Sequence, residues 1–141
     1  MLRTNLTSAA AWCLGTASIL EAQGYGALLV IGSVAGDRGR ASNYIYGATK
    51  AGLGVLVQGI AHRLAKSCAR AVLIKPGFVD TPMTEGIPNK GLLWAKPEAV
   101  GQVIARAVEE GGPIVYAPSF WRGIMTVVRF LPNVIFSRLN L

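Results

Sequence analysis

The stretch Ala27-Leu-Leu-Val-Ile-Gly-Ser33 is almost wholly apolar and follows closely on Gly24 and Gly26. Short apolar runs bounded by glycine are typical of strands that are buried on both faces of a parallel sheet. The later stretch Ala71-Val-Leu-Ile-Lys-Pro76 has the same form and ends at Pro76-Gly77, a pair that marks a turn. The two stretches therefore predict two buried strands.

The residues between and around these strands have the patterns of helices. Residues 44–67 place Leu53, Leu56, Val57, Ile60 and Leu64 on one helix face, as an amphipathic helix requires. A helix is also predicted from Asn5 to Gln23, and another from Pro97 to Glu109 before Gly111-Gly112, because proline and glycine mark such ends.

A third short strand is predicted at Pro113-Ile-Val-Tyr-Ala117. Strands that alternate with helices at this spacing form right-handed βαβ units. The sequence thus predicts an α/β fold with a parallel sheet of about three strands and flanking helices. Residues 78–95 are rich in proline and glycine and are predicted to form an irregular loop. Leu92, Leu93 and Trp94 would supply an apolar lid, or form an ordinary hydrophobic cluster of the loop.

Composition excludes several classes of protein. The chain has 141 residues and a net charge of +7, and its 52% hydrophobic content excludes a disordered protein. It has no run of about 18 uncharged apolar residues, so no simple transmembrane helix is expected. Its basic residues are scattered and are not interleaved with aromatic ones, which argues against nucleic acid as a partner.

The two cysteines, Cys13 and Cys68, form neither a disulfide framework nor a metal-ligand pattern. We therefore expect no metal and a reducing compartment, which indicates the cytoplasm.

The residues that carry chemistry are Ser33, Tyr46 and Lys50. In Tyr46-Gly-Ala-Thr-Lys50 a phenol and an ammonium stand four residues apart, which makes them neighbours on one helix face. A nearby ammonium favours the phenolate, so Tyr46 is a candidate general acid/base. Ser33 ends a buried strand at the sheet edge where parallel sheets bind ligands, and its hydroxyl could hold a carbonyl oxygen. The alternative is an ordinary helix pair and a turn serine.

Four segments in this order resemble the short-chain dehydrogenase/reductase family, whose members are NAD(P)-dependent oxidoreductases on a Rossmann fold. They are Asn5-Leu6-Thr7, Ile31-Gly-Ser33-Val-Ala-Gly36, Tyr44-Ile-Tyr46-Gly-Ala-Thr-Lys-Ala-Gly52 and Pro76-Gly-Phe-Val-Asp-Thr-Pro82. The resemblance covers nearly the whole chain. It implies hydride transfer to or from a carbonyl or alcohol, with NAD or NADP as cofactor.

The resemblance also implies a role for each matching residue. Tyr46 would be the acid/base and Ser33 the hydroxyl that polarises the carbonyl. Lys50 would favour the phenolate and bind the nicotinamide ribose, and Asn5 would hold a water of the proton relay. Tyr46 and Lys50 would also contact the cofactor. Four further residues would complete the cofactor-binding set: Pro76, Gly77, Val79 and Thr81.

The chain departs from the family pattern at its beginning. It has no Gly-x-x-x-Gly-x-Gly turn and no Asn-Asn-Ala-Gly segment before Asn5, and these parts normally hold the pyrophosphate and select NAD or NADP. The sequence is therefore interpreted as the C-terminal half of a doubly wound sheet, a partial Rossmann fold. Its start at Met1 indicates a truncated gene product, an internal start or a deliberately shortened chain.

A half sheet has an unpaired edge strand and apolar helix faces without a partner layer. We therefore expect the chain to be marginally stable or to aggregate, and to have little activity alone. The alternative function is a non-catalytic dimerisation or membrane-surface module. The family commonly dimerises through the helices that correspond to residues 5–23 and 44–67, which implies a homodimer.

Residues 1–119 are interpreted as part of the Rossmann domain and residues 120–141 as an apolar, basic helical tail. The tail has three arginines and no acidic residue. Two short helices in a bilayer interface would fit this pattern, and so would a cap packed over the substrate pocket. The tail resembles those of family members that reduce lipid-linked ketones, such as polyprenyl-phosphoryl keto-sugar reductases, which implies a hydrophobic or lipid-linked substrate.

Overall fold

The computed structural model describes residues 1–87 and 91–139 and has the predicted α/β architecture. Three parallel strands form the main sheet: β1 (Tyr25–Ile31), β2 (Cys68–Pro76) and β5 (Ile114–Ala117). Strands β3 and β4, which lie between β2 and β5 in the chain, form a separate small sheet described below. The strand order is β1-β2-β5. In the register Tyr25 pairs with Cys68 and Ile31 with Ile74, while Pro76 pairs with Ala117. The predicted sheet of about three parallel strands is therefore confirmed.

Successive side chains of β2 supply two cores, one on each face of the sheet. Ala69, Ala71 and Leu73 pack with the helices α1 (Ala9–Gln23) and α2 (Tyr44–Leu64). Val72 and Ile74 pack on the other face with α3 (Pro97–Glu110). Because strand side chains alternate between faces, a continuously apolar strand can bury both of its sides. All five of these side chains are buried.

The helices lie where the sequence predicts them, with differences at their ends. A π-helical turn, Arg3–Ser8, precedes α1, so the first helix begins before the predicted Asn5. It ends at Gly24, whose φ of 83° is left-handed and whose N–H donates to Leu20 O; glycine takes this conformation without strain. The second helix ends at Leu64, before the predicted residue 67.

The segment 78–95 is more ordered than an irregular loop, so that prediction is wrong in part. It contains the two-residue strands β3 (Phe78–Val79) and β4 (Trp94–Ala95), which pair in parallel. A 3-10 turn, Pro82–Thr84, lies between them. The Phe78 and Trp94 rings stack at 5.3 Å between centroids, which holds this small sheet together. Residues 88–90 of the predicted loop lie outside the described residues.

The tail contains two short helices, α4 (Trp121–Phe130) and α5 (Asn133–Phe136). Trp121 and Met125 of α4 are buried against Val34, with Phe78 and Tyr116 packed around them. One face of the tail therefore covers the carboxyl end of the main sheet. Across residues 1–87 and 91–139, no helix is long and apolar enough to cross a membrane.

Candidate active site

The first turns of α2 carry Tyr46 and Lys50, both half-buried. Lys50 Nζ donates a hydrogen bond to Ile31 O at 2.9 Å and lies 5.8 Å from the centroid of the Tyr46 ring. Burial lowers the pKa of the Lys50 ammonium, because desolvation penalises its charged form. The lysine thus connects the start of α2 to the carboxyl end of β1.

Ser33 lies in the turn that follows β1 and begins the 3-10 turn Val34–Gly36. Its Oγ accepts a hydrogen bond from the Ala35 N–H at 3.1 Å. This turn packs directly on α2: a Cβ on Gly36 would lie 2.8 Å from Ala51 N, and one on Gly47 would lie 2.8 Å from Ala35 O. The two glycines permit this close approach, which brings the Ser33 turn against the helix segment that contains Tyr46 and Lys50.

Asn5 lies in the π-helical turn before α1 and is half-buried. Together with Lys50 and Ile31 it lines a cavity of about 330 Å³ between α1 and β1. Asn5 and Lys50 thus line the same cavity, and the role of Asn5 in a proton relay stays a prediction. A larger cavity, of about 760 Å³, lies between α3 and β5 and is lined by none of the predicted site residues.

The turn after β2 contains the four residues predicted to contact the cofactor. The Gly77 N–H donates to Ala117 O at 3.0 Å, which joins this turn to β5. Val79 O accepts from Thr84 Oγ1 at 2.8 Å, and the same oxygen atom of Thr84 accepts from the Thr81 N–H at 3.1 Å. Pro76 is the last residue of β2, so the turn follows the same end of the sheet as Ser33.

These groups combine a phenol, a hydroxyl and an ammonium at one edge of the sheet. A phenol can donate or accept a proton, and a hydroxyl whose oxygen already accepts a hydrogen bond can still donate its own proton. The arrangement is suited to moving a proton to or from a substrate oxygen.

Comparison with known proteins assigns the family. The model of the short chain dehydrogenase family matches residues 1–91. The chain belongs to this family. An oxidoreductase of Mycobacterium tuberculosis is 37% identical over 123 residues, and the alignment covers 87% of this chain and 49% of that protein. Carbonyl reductase family member 4 of Xenopus tropicalis is 33% identical over 117 residues, and the alignment covers 77% of this chain and 49% of that protein.

A solved short-chain dehydrogenase of Burkholderia cenocepacia, in complex with NADP, has the same fold. It superimposes on 99% of this chain with a TM-score of 0.83 at 19% sequence identity, and the match covers 57% of that structure. The chain therefore spans about half the length of the short-chain dehydrogenases it matches.

A buried polar cluster that was not predicted from the sequence lies beside the site of this short-chain dehydrogenase. Lys75 Nζ forms an ion pair with Asp37 Oδ1, and Tyr116 OH donates to Asp37 Oδ2 at 2.9 Å. Burial raises the pKa of Tyr116 to about 12, and its hydrogen bond to the Asp37 carboxylate adds to the shift. The sequence does contain a sign of this cluster, because Lys75 is a charged residue inside an apolar strand and would need a partner of opposite charge if buried.

Arg38 was also missed and holds the tail against the site. Its guanidinium donates to Val128 O at 2.6 Å, to Leu131 O at 2.6 Å and to Asn133 Oδ1 at 2.8 Å. It also lies 3.8 Å from the centroid of the Phe136 ring. A cation at a helix carboxyl end compensates its unpaired carbonyls, so Arg38 fixes α4 to the loop between Ser33 and Tyr46.

Trp121, at the start of α4, reaches the turn that follows β2. A Cβ on Gly77 would overlap the Trp121 indole, so this position accepts only glycine without displacing the tail. The indole Nε1 is buried and has no hydrogen-bond partner among residues 1–87 and 91–139. The tail is therefore in direct contact with the turn that follows β2.

Proposed function

We propose that this chain supplies the proton-transfer half of an NAD(P)-dependent oxidoreductase that interconverts a carbonyl and an alcohol. The observation that carries the proposal is the hydrogen bond from Lys50 Nζ to Ile31 O. It joins the helix segment that contains Tyr46 to the end of the strand that leads into Ser33, which supports a common site for the three side chains.

Each residue has a chemical role in this proposal. In the reductive direction the Tyr46 hydroxyl donates its proton to the substrate oxygen, while Ser33 donates a hydrogen bond to the same oxygen. The Ser33 oxygen already accepts from Ala35 N–H, which fixes the direction in which its own proton can point. Lys50 stabilises the phenolate that remains, and Asn5 holds the water that returns a proton.

NADH or NADPH, when bound, supplies the hydride. The donors present fit its nicotinamide ribose: an ammonium has three N–H donors, and the bond to Ile31 O uses one. Lys50 and Asn5 also line a common cavity. Pro76, Gly77, Val79 and Thr81 would hold the nicotinamide end beside them. We propose that the activity is cytoplasmic and that its substrate is a hydrophobic or lipid-linked carbonyl or alcohol compound.

The test is calorimetric titration of the full chain with NADH and with NADPH. Lys50→Ala should weaken binding about tenfold or more, because it removes a charged donor from a partly buried site. Tyr46→Phe should change binding less, and the exposed Lys66→Ala is the matched control. Circular dichroism establishes that each variant is folded. Absence of binding by the folded chain, or binding that Lys50→Ala leaves unchanged, would contradict the proposal.

We propose further that the chain forms a homodimer through α1 and α2. Both helices expose large apolar side chains on their outer surfaces, among them Trp12 and Val55. Such exposure favours a protein contact. The same observation supports the second candidate function, a non-catalytic dimerisation or membrane-surface module, which a folded dimer that fails to bind NAD(P)H would favour.

A further inference from the structure

The tail has two faces, and the protein body uses only one of them. Trp121 and Met125 are buried, and Ile124 and Val128 pack against the same cluster. These four residues follow the i, i+3, i+4, i+7 spacing of one helix face. These four side chains form the inner face of α4, which packs on the body of the protein, and the other apolar side chains of the tail do not belong to that face.

Those remaining side chains point into solvent. The outer tail face is defined by Val127 and Phe130 of α4 and by Val134 and Ile135 of α5. Phe130 is 81% exposed and Val134 is 68% exposed. Arg38 fixes the carboxyl end of α4 and the start of α5 through its hydrogen bonds to Val128 O, Leu131 O and Asn133 Oδ1. The outer tail face is thus held outward by a specific contact.

The charges around the outer tail face have one sign. Arg129 and Arg138 are exposed, as is Arg122, whose guanidinium also donates to Ile114 O at 3.2 Å. Residues 111–141 contain no aspartate or glutamate. On α4, Arg122 and Arg129 lie along one side of the helix, between its buried face and Phe130, by the helical period. A partner of this surface must therefore combine an apolar layer with negative charge at its border.

We propose that the outer tail face binds the surface of an anionic phospholipid bilayer. Its apolar side chains would enter the boundary between headgroups and acyl chains, and the arginines would contact lipid phosphates. Helices as short as α4 and α5 lie in the interface and do not cross it. This inference is independent of NAD(P) binding, since it concerns the face of the tail directed away from the Ser33, Tyr46 and Lys50 site.

The experiment is flotation of the full chain with vesicles in a density gradient, in which aggregated protein sinks and bound protein floats. Vesicles of phosphatidylcholine and phosphatidylglycerol are compared with vesicles of phosphatidylcholine alone, without NAD(P)H. We expect binding to the anionic vesicles only, and weaker binding as the salt concentration rises.

Variants locate the contact. Phe130→Ser should weaken vesicle binding about tenfold, because it removes a large apolar side chain from the interface. Arg129→Gln should weaken it about fivefold, as expected for one cation at a charged membrane surface. Val108→Ser and Arg106→Gln, both at exposed positions of α3, are the matched controls and should bind as the unmodified chain does.

Three results would overturn the proposal. The first is absence of flotation by the folded chain, and the second is equal loss of binding in the α3 controls. The third is a change of oligomeric state on Phe130→Ser in the absence of vesicles, which would assign the outer tail face to a second copy of the chain. None of these outcomes depends on whether the chain binds NAD(P)H.

Discussion

Lys75 is a charged residue that is buried within an otherwise apolar strand. It lies in the middle sheet strand with 7% of its surface exposed, and its only charged partner in the described part of the chain is Asp37. A buried charge without a partner is strongly unfavourable. The ion pair therefore makes the two residues energetically dependent on each other.

Replacement of Lys75 by methionine should lower the free energy of unfolding by about 3–5 kcal/mol, because it leaves the Asp37 carboxylate buried without a cation. The double variant Asp37→Asn, Lys75→Met should recover part of this loss. Urea unfolding measures both, with the exposed Lys66→Met as control. A loss no larger than that of the control would show that Asp37 has another compensating partner.

Tyr116 should make stability decrease at high pH. Its pKa is about 12 in the folded protein and 10 for a free tyrosine, so the folded state retains a proton that the unfolded state releases. The stabilising contribution is complete below pH 10 and is lost as the pH rises toward 12. Unfolding of Tyr116→Phe between pH 9 and pH 12 should show a shallower decline than the unmodified chain. If the free energy of unfolding declined equally with pH in Tyr116→Phe and in the unmodified chain, the proposed contribution of Tyr116 would be refuted.

At the scale of elements, the tail is attached by Arg38. Arg38→Ala should lower the stability of the docked tail by about 1–3 kcal/mol, because charged hydrogen bonds to two carbonyls and an amide are lost. Trypsin cleaves after arginine, so the rate of cleavage after Arg122 and Arg129 reports on local opening of α4. We expect faster cleavage in Arg38→Ala and no change in Arg106→Ala. Unchanged cleavage in both would mean that apolar packing alone docks the tail.

The second attachment of the tail is the contact between Trp121 and Gly77. Gly77→Ala should lower the free energy of unfolding by about 1–3 kcal/mol, since the new methyl group overlaps the indole. A smaller side chain at 121 should remove that clash, so Trp121→Leu and Gly77→Ala should be non-additive in a double-mutant cycle. Gly101→Ala, at an open position of α3, is the control. Additive effects would exclude direct overlap as the cause.

The elements themselves were largely predictable from the sequence. Glycine and proline mark the ends of β1, β2 and α3, and the spacing of Leu53, Val57, Ile60 and Leu64 indicates α2. The pair β3 and β4 was not predictable, because two-residue strands have no periodicity. The Asp37–Lys75 pair and the Arg38 contacts join residues far apart in the chain, so local patterns contain no information about them.

At the scale of the whole molecule, the chain exposes surfaces that complete domains usually cover. Within residues 1–87 and 91–139, β1 pairs with β2 on one side and with no strand on the other. Unpaired strand edges and exposed apolar helix faces promote association. The expectation of marginal stability or aggregation follows from these features and stays a prediction.

The proposed homodimer gives a direct test at this scale. Trp12→Glu should weaken dimerisation about tenfold or more, because it places a charge at the centre of the outer face of α1. Sedimentation equilibrium measures the change, and Leu92→Glu, at a fully exposed position outside these helices, is the control. A dimer of unchanged affinity in Trp12→Glu would place the contact elsewhere.

The buried cluster of Asp37, Lys75 and Tyr116 has a consequence for the divergence of this protein. Asp37 follows β1, while Lys75 and Tyr116 each lie one residue before the end of β2 and β5. Loss of either charge alone leaves the other unpaired in a buried site. Mutations at positions 37 and 75 should therefore persist only in pairs, either as a retained acid and base or as two neutral residues. Where position 37 has lost its carboxylate, position 116 should no longer need a hydroxyl, while its packing against Trp121 and Met125 still favours an aromatic side chain. The cluster would thus appear in related sequences as covariation between positions that are distant in the chain.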